Sequence, residues 1–523
     1  MALPFIPQFR FTGRQRLYTY LTQDQLDGPD AAELLREDLI QWVIPFHFFN
    51  AMEEQYLFDY YAGYHPKIHD RVKENRTDIN NKIAMNYAKS FSRDIVSYFL
   101  GKPIQYVQRD SKFREDAESL QYAFDSESKN LVDYNIAINM SVCGLGYRGI
   151  FTEKDARNGT HLSIVSLDPR ESFVVWSPDR AIGQLYCGTY YSTPPHPFTQ
   201  ESKTIYTIYT RNKKYVFESP GLVGAMTYTD MQLIEESDAS LGGNFPIIEY
   251  QNSMNAMGDW ESELSIMDSL DKLTSDSMND IEQFVNSILL AQGFDLTPET
   301  LETLEQEKML NIPDVPPGVQ VVVKYIAEQV DNENVESLRD WLEATMRTIV
   351  GVPDRKQRGG GGADTGDAVF LRDGWQDIDL VAGSKEQFFI DADRKALATC
   401  IYIMQTFNEI GKEVKPEDIE IKFSRTKQAN LQAKAQAYST MVGASAPIAP
   451  EDALEFADLT NNVSDVIMRG EEYAQKKLKE TAEAQQLFMN NKPPTEQTTQ
   501  QSSAKPAQNN PKPTGGAAKG ATN

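Results

Sequence analysis

Residues 258–292 read GDWESELSIMDSLDKLTSDSMNDIEQFVNSILLAQ, and this stretch decides how the whole chain is organised. Its large apolar residues recur at intervals of three and four, which predicts one amphipathic helix of about 30 residues. The apolar stripe consists of Trp260, Leu264, Met267, Leu270, Leu273, Met278, Ile281, Phe284, Val285 and Ile288. The rest of this helix has a single lysine, Lys272, and a set of acidic residues: Glu261, Glu263, Asp268, Asp271, Asp276, Asp280 and Glu282.

An irregular region and a second helix follow this acidic helix. The irregular region contains four prolines and one short predicted strand, Val319–Tyr325. Apolar residues at helical spacing then predict a helix over Val335–Ile349, which Gly351 and Pro353 should end.

The segment 351–366 has the least ordinary composition of the chain. It contains three basic residues and then four consecutive glycines: Arg355, Lys356, Arg358, Gly359, Gly360, Gly361 and Gly362. A long helical pattern follows from Asp367 to Ile410, with glycine only at Gly374 and Gly383. An unbroken helix of that extent would be about 65 Å long, at a rise of about 1.5 Å per residue.

The N-terminal half changes from helical to strand-forming patterns. Helices are predicted over Asn81–Leu100, ended by Gly101 and Pro103, and over Phe113–Cys143. Six short runs rich in Tyr, Val, Ile and Thr then predict an antiparallel sheet of hairpins: 148–151, 162–167, 173–176, 184–191, 204–211 and 214–218. Further helices are predicted over 426–441, 450–457 and 463–488, before a polar tail that should be disordered. The fold class is therefore α+β and rich in helix.

Length, charge and cysteine content narrow the possible classes of protein. The 523 residues are too many for one compact core, so two or more domains are expected. The net charge of −25 argues against tight general binding of DNA, which requires clustered basic residues. That charge fits equally well a solubility role and a wall to which DNA does not adhere. No apolar run has the length of a membrane span or a signal peptide. The three cysteines are far apart in the sequence and predict neither disulfide bonds nor a zinc site, which is typical of a protein made in a reducing cytosol.

No motif in the sequence predicts catalysis. The four glycines lack the Lys-Ser/Thr pair of a phosphate loop, and the CGLGYRG phrase at 143–149 precedes strands instead of a helix. His65 and His69 have the spacing of helical metal ligands, but Pro66 intervenes and no further ligand cluster is near. Acidic pairs such as Asp377 and Asp379 are expected by chance in so acidic a chain. We therefore predict no enzyme activity, no metal and no cofactor.

Several phrases, in a fixed order, resemble the portal proteins of tailed double-stranded DNA phages, of the type found in long-tailed phages of Gram-positive hosts. The first is Asn80-Asn81-Lys82-Ile83 before a helix that ends in YFLGKPI at 98–104. The second is the strand 144–151 followed by LDPRESFVV at 167–175. The third is the C-terminal set of helices, with an Ala-rich segment at 427–438 and a Glu-rich final helix. The resemblance covers about residues 45 to 485.

This resemblance implies a specific division of the chain into structural parts. It implies an N-terminal arm (1–44), a wing of helices and mixed sheet (45–258), a first stem helix (259–292), a clip (293–332) and a second stem helix (333–350). It also implies a tunnel loop (351–366), a long helix with a return to the wing (367–425), a helical crown (426–488) and a disordered tail (489–523).

The resemblance also implies a function and a set of partners. Portals of this type form dodecameric rings at the unique capsid vertex of the virion, through which double-stranded DNA is packaged and later ejected. The implied partners are other copies of the chain, the terminase large subunit, the major capsid and scaffolding proteins and a head-tail adaptor, with assembly in the host cytoplasm and no membrane. The first alternative is another phage head or connector structural protein, and the second is a metal-dependent nucleic-acid enzyme.

Two sets of residues are candidates for contact with the implied DNA channel. The basic and glycine residues 355–362 would lie close to DNA, the alternative being a disordered loop that neutralises acidic neighbours. The seven acidic residues of the first stem helix would line the channel, with ordinary solvated charge as an equal alternative.

Overall fold

The computed structural model describes residues 11–73, 77–155, 159–195, 202–220, 231–285, 288–292, 322–326, 332–353, 375–424, 431–443, 448–457, 459–460 and 463–490. The chain divides into two compact units, one up to Asn461 and one from Asn462 onward. Several predictions fall outside the described residues: the basic and glycine residues 355–362, most of the clip, the start of the long helix and all but two residues of the tail.

The first unit begins with a short strand and a series of helices. Strand β1 (Leu17–Tyr18) precedes helices α1 (Gln23–Leu26), α2 (Ala31–Asp38) and α3 (Ile44–Ala62). A π-helical turn at 39–43 joins α2 to α3 directly before Pro45, which has no N–H to continue the regular α-helical ladder. Gly63 then ends α3 in the left-handed conformation, with φ of +95°.

Two of the predicted N-terminal helices have different bounds in the structure. After α4 (Pro66–His69), helix α5 (Tyr87–Phe99) begins at Tyr87 and not at Asn81, because the Asn86 side chain caps it by accepting the Lys89 N–H. Strand β2 (Gln105–Gln108) follows. The single helix predicted over 113–143 is two helices, α6 (Arg114–Ser126) and α7 (Lys129–Cys143), because Ser128 has a left-handed backbone with φ of +52°.

The middle of the chain forms two main sheets and not the single sheet that was predicted, although its hairpins are antiparallel as predicted. The larger sheet has the order β1-β5-β6-β7-β8-β9, in which only β1 is parallel to its neighbour. Its further strands are β5 (Ser172–Trp176), β6 (Gln184–Ser192), β7 (Lys203–Tyr209), β8 (Lys213–Pro220) and β9 (Gln232–Asp238). The smaller sheet has the order β10-β3-β4, with β3 (Leu145–Asp155), β4 (Gly159–Leu167) and β10 (Ile247–Gln251).

The acidic helix is shorter than its pattern predicted. Helix α8 (Leu264–Val285) is followed by strand β11 (Ile288–Gln292), which pairs antiparallel with β12 (Val322–Ile326). The prediction of one helix to residue 292 was therefore wrong, because the apolar run 288–292 pairs with a second apolar run. Helix α9 (Asn332–Val350) ends at Gly351 as predicted.

The long helix and the C-terminal elements complete the fold. Helix α10 (Trp375–Thr406) has 32 described residues, and strand β13 (Ile419–Lys422) returns to pair with β2. Helices α11 (Leu431–Val442) and α12 (Pro450–Phe456) end the first unit, and α13 (Val463–Asn490) belongs to the second. The predicted fold class, α+β and helix-rich, is confirmed.

Buried polar side chains attach α10 to the smaller sheet. Arg148 on β3 donates hydrogen bonds to Asp393 on α10 and to Asp133 on α7, and all three side chains are buried. Tyr250 donates to the same Asp393 carboxylate at 2.9 Å, and Lys129 donates to Asp133 at 2.8 Å. Burial alone would raise the pKa of Asp393, but the adjacent cations lower it to about 2. The aspartate therefore remains charged and holds α10 in register on the sheet.

Candidate functional site

The N-terminus of α8 is attached to three other parts of the first unit. The Trp260 indole N–H donates to Ser92 Oγ on α5 at 2.8 Å, in a fully buried contact. The Glu261 carboxylate pairs with the buried Arg14 of the N-terminal segment. Asp259 pairs at 2.6 Å with Lys385 on α10. These contacts fix the direction in which α8 leaves the rest of the unit.

An extended segment before α5 lies along α8 and is bonded to one face of it. The backbone N–H groups of Asn81, Ile83 and Met85 donate to side chains at positions 279, 275 and 271 of α8, at 2.7, 2.9 and 2.7 Å. Two residues of extended chain advance about 6.6 Å. Four residues of helix advance about 6.0 Å. Every second N–H of the extended segment therefore meets every fourth side chain of the helix. This match explains why residues 81–86 stay extended although Ala84 fits the apolar spacing of a helix.

A second set of polar contacts attaches α4 to the middle of α8. His65 Nδ1 bonds the carboxylate of Asp271, and both side chains are buried. The His65 ring stacks on Tyr60, with ring centroids 4.4 Å apart. Tyr60 in turn donates to Asp268, which also pairs with Lys67 at 2.6 Å. Burial and the hydrogen bond to Asp268 raise the pKa of Tyr60.

The two histidines at helical spacing are used within the chain. His65 faces Asp271, while His69 Nδ1 accepts the backbone N–H of His65 at 3.1 Å. Within the described ranges, no group of three or more His, Cys, Asp or Glu side chains is arranged to hold a metal ion. The three cysteines are buried and unpaired, and burial raises the pKa of each thiol.

The structure divides the acidic residues proposed to line a channel by their burial. Glu261, Glu263 and Asp271 are buried inside the unit, so they do not face solvent in this conformation. The periodicity of apolar residues did not show that these carboxylates are buried within the unit, and their predicted role in lining a channel stays a prediction. Burial raises the pKa of Glu261, and the Arg14 cation opposes that effect.

The other four acidic residues of α8 lie nearer to solvent. Asp268 pairs with Lys67, and Asp276 pairs with Arg71 at 2.9 Å. Asp280 and Glu282 are exposed at the C-terminal end, where Glu282 accepts a hydrogen bond from the Asn81 side chain at 2.7 Å. Exposed carboxylates therefore concentrate at the end of α8 distant from its buried N-terminus.

Helix α9 packs beside α8 and ends next to α10. Met346 and Val350 are buried in the core beneath α8, and the Arg347 guanidinium lies 5.6 Å from the Phe91 ring centroid. Gly351 ends α9 with φ of +75°, and a Cβ there would lie 2.9 Å from the Val381 side chain on α10. The residues that flank the segment 354–374 on both sides therefore pack together.

The helix pair α8–α9 also exposes large apolar side chains. Trp341 is 61% exposed and Ile281 is 58% exposed, and they occur together with Leu338, Ile349 and Met278. Other elements of the chain also expose large apolar residues, and single exposed apolar residues are normal on a protein surface. None of the helices among the described residues combines the length and apolar character required to cross a bilayer.

Fold and site together define a helix-rich α+β protein, organised around a helix pair that polar bonds attach to the rest of the first unit. The chain belongs to the family described as "Phage portal protein, SPP1 Gp6-like", whose sequence profile matches residues 51–487. It is similar to the portal protein of Bacillus phage SPP1, with 21% identity over 225 residues, which are 42% of this chain and 43% of that protein. The chain thus matches less than half of the length of that relative. The predicted family is confirmed.

Of the three side chains on α8 that bond the extended segment, Asp271 was predicted only as a channel-lining residue, and the other two were not predicted as functional residues. Ser275 and Asn279 are small polar residues in a helix, and such residues ordinarily face solvent. The phrase Asn80-Asn81-Lys82-Ile83 did carry a signal, since it was part of the resemblance to portal proteins. Its structural role is to supply the extended backbone that bonds to α8.

Proposed function

We propose that the chain assembles into a dodecameric ring at the unique capsid vertex of a virion. The ring would be the channel through which double-stranded DNA is packaged and later ejected. The match to the portal protein family over residues 51–487 carries this proposal. The chain would act without catalytic residues, while the terminase large subunit supplies the pumping activity. Its other partners would be the major capsid and scaffolding proteins and a head-tail adaptor, with assembly in the host cytoplasm.

The helix pair α8–α9 would be the stem of this ring, with residues 293–332 as the clip between its helices. In that arrangement the exposed Asp280 and Glu282 of each subunit would face the passing phosphates. Asp276 would contribute less, because Arg71 already neutralises it. Repeated around a ring, these carboxylates produce a repulsive wall to which DNA does not adhere.

Residues 351–366 would be the tunnel loop, with Arg355, Lys356 and Arg358 in transient contact with DNA phosphates. Deletion of Gly359–Gly362 should leave ring assembly intact and reduce the amount of DNA packaged or retained. Deletion of Thr514–Ala517 in the polar tail is a matched control that also removes two glycines. Unchanged packaging in the Gly359–Gly362 deletion would contradict the role of the loop.

The assembly itself is tested by native mass spectrometry and negative-stain imaging of the full chain. A closed ring of about a dozen subunits with a central hole is the expected result. A compact dimer that cleaves DNA when a divalent metal is added would overturn the proposal.

A further inference from the structure

A cleft on the first unit has an unusual concentration of positive charge for so acidic a chain. It has a volume of about 570 Å³ and lies between the middle of α10, the hairpin ends of the larger sheet and the β2–β13 pair. Four basic and two acidic side chains line it: Arg109, Arg211, Arg394, Lys395, Asp391 and Glu417. The cleft is therefore locally cationic in a chain whose net charge is −25.

Three of these cations form no ion pair with a described carboxylate, and Glu417 is the acidic side chain of the cleft that remains to offset them. Lys395 pairs with Asp391 at 2.7 Å, which accounts for one acidic and one basic residue. No carboxylate among the described residues lies within ion-pair distance of Arg109, Arg211 or Arg394. Guanidinium groups that bind planar carboxylates in a bidentate manner are common at protein interfaces.

Two buried donors in the cleft also lack acceptors. The Nε–H of Arg211 and the indole N–H of Trp176 are buried and make no hydrogen bond among the described residues. A buried polar group without a partner is costly, so most such groups in proteins are satisfied. Both groups are donors only, and a bound acceptor such as a carboxylate would satisfy them.

The aromatic residues of the cleft favour a protein ligand over a single-stranded nucleic acid. Binding of single strands uses open aromatic faces on which bases stack. Here the Arg16 guanidinium lies 4.5 Å from the Trp176 ring centroid, and Phe245 is buried, with Arg211 at 5.9 Å. The rings are thus covered by the chain's own arginines.

We propose that this cleft binds a carboxylate-bearing segment of a second copy of this chain. Charge complementarity favours that partner, since the chain contains 76 acidic and 51 basic residues and two copies without such a contact would repel each other. A cleft on one copy and an acidic surface on the next form a head-to-tail contact, which closes into a ring when the rotation permits. The inference rests on the self-assembly in the proposed function, but it concerns one defined contact.

The test is a comparison of self-association between the wild-type chain and the double variant Arg211→Gln/Arg394→Gln. Wild-type chain immobilised at low density is exposed to each full-length protein in solution, and the dissociation constant is measured at several salt concentrations. Loss of both guanidinium groups should weaken association at least about tenfold and reduce its salt dependence. The control Arg36→Gln removes an exposed arginine that pairs only loosely, at 3.8 Å, with its helical neighbour Glu33.

A second variant separates a local effect of charge from a failure to fold. Arg211→Lys/Arg394→Lys retains both charges but not the guanidinium donors, so it should keep the salt dependence and bind with an affinity between those of wild type and the Arg→Gln variant. Circular dichroism checks the fold of every variant. Equal association of the Arg→Gln variant and wild type would overturn the inference, as would a wild-type chain that does not bind itself at any salt concentration. If oligo-dT abolishes the association and poly-glutamate does not, the cleft is a nucleic-acid site, and that result would also overturn the inference.

These outcomes can be distinguished from failure of the proposed function. Closed rings that form normally with the Arg→Gln variant would refute the cleft contact and leave the ring in place. Pairwise association that depends on the cleft, in a chain that never forms closed rings, would support the contact and refute the ring.

Discussion

Replacement of Asp271 by asparagine should release the extended segment 81–86 from α8. The carboxylate accepts hydrogen bonds on both oxygens, from the buried His65 ring and, at 2.7 Å, from the Met85 backbone N–H. A carboxamide has one oxygen, so one of these donors would face an NH₂ group and lose its acceptor. An orphaned buried donor costs about 1–3 kcal/mol, and loss of the charge-assisted bond adds to this. The expected total is about 3 kcal/mol, or roughly a hundredfold in a local opening equilibrium.

Hydrogen exchange measured by mass spectrometry reports this opening directly. Peptides that cover residues 77–90 should exchange roughly a hundredfold faster in Asp271→Asn than in the wild-type chain. Asp280→Asn is the matched control, since it makes the same chemical change on an exposed position of the same helix. Exchange of 81–86 that stays within about threefold of wild type in Asp271→Asn, or equal acceleration in Asp280→Asn, would refute this account of the segment.

Three further substitutions test the interior of the first unit. Burial raises the pKa of Glu54 from 4.5 to about 7, so the free energy of unfolding should fall as the pH rises between these two values. Glu54→Gln should remove this pH dependence and raise the free energy of unfolding by up to about 3 kcal/mol at pH 8, as measured by denaturant unfolding. Arg148→Met leaves Asp133 and Asp393 buried without their main cation, which should lower the free energy of unfolding by about 3–5 kcal/mol. Gly351→Ala should lower the free energy of unfolding by about 1–2 kcal/mol, because Gly351 has a left-handed backbone that alanine rarely adopts. The new methyl group would also press against Val381 on α10, which should lower it further.

Each of these substitutions has a control elsewhere in the chain. Glu33→Gln, at an exposed carboxylate, should leave the pH dependence of unfolding unchanged, and a slope that persists in Glu54→Gln would contradict the assignment to Glu54. Arg36→Met should cost less than about 0.5 kcal/mol, and a similarly small cost for Arg148→Met would show that the buried network contributes little. Gly183 also has positive φ, at +78°, but open space around its Cβ position, so Gly183→Ala isolates the backbone cost.

The sequence was sufficient to predict elements with strong internal periodicity. Helix α8 was found from its three-four apolar spacing, and the end of α9 was found from Gly351. The hairpin β7–β8 was predicted from two neighbouring runs rich in Tyr, Val, Ile and Thr, 204–211 and 214–218. In each case the information lies within a few neighbouring turns or residues. The family was also found from the sequence, because several short phrases occur in a fixed order.

Long-range contacts account for most of the predictions that were wrong. The burial of Asp271 depends on His65, which is 206 residues away in sequence. The extended conformation of 81–86 depends on acceptors that α8 supplies. Strand β9 was missed because its residues are mostly exposed and three of the seven are acidic, which gives no alternating pattern. The helix or strand propensity of a short segment contains no information about residues that contact it from distant parts of the sequence.

The β11–β12 pair has a consequence for the exchange of segments between related proteins. Gln292 and Val322 lie opposite each other in the register of the pair, so their Cα atoms are roughly 5 Å apart. The intervening residues 293–321 therefore begin and end at adjacent points, as the loop of a hairpin does. A shorter turn, or the corresponding segment of another phage protein, can be joined at the same two residues without altering the path of the remaining chain. The register of β11 and β12 thus fixes the two points at which a segment of different length would join the described chain.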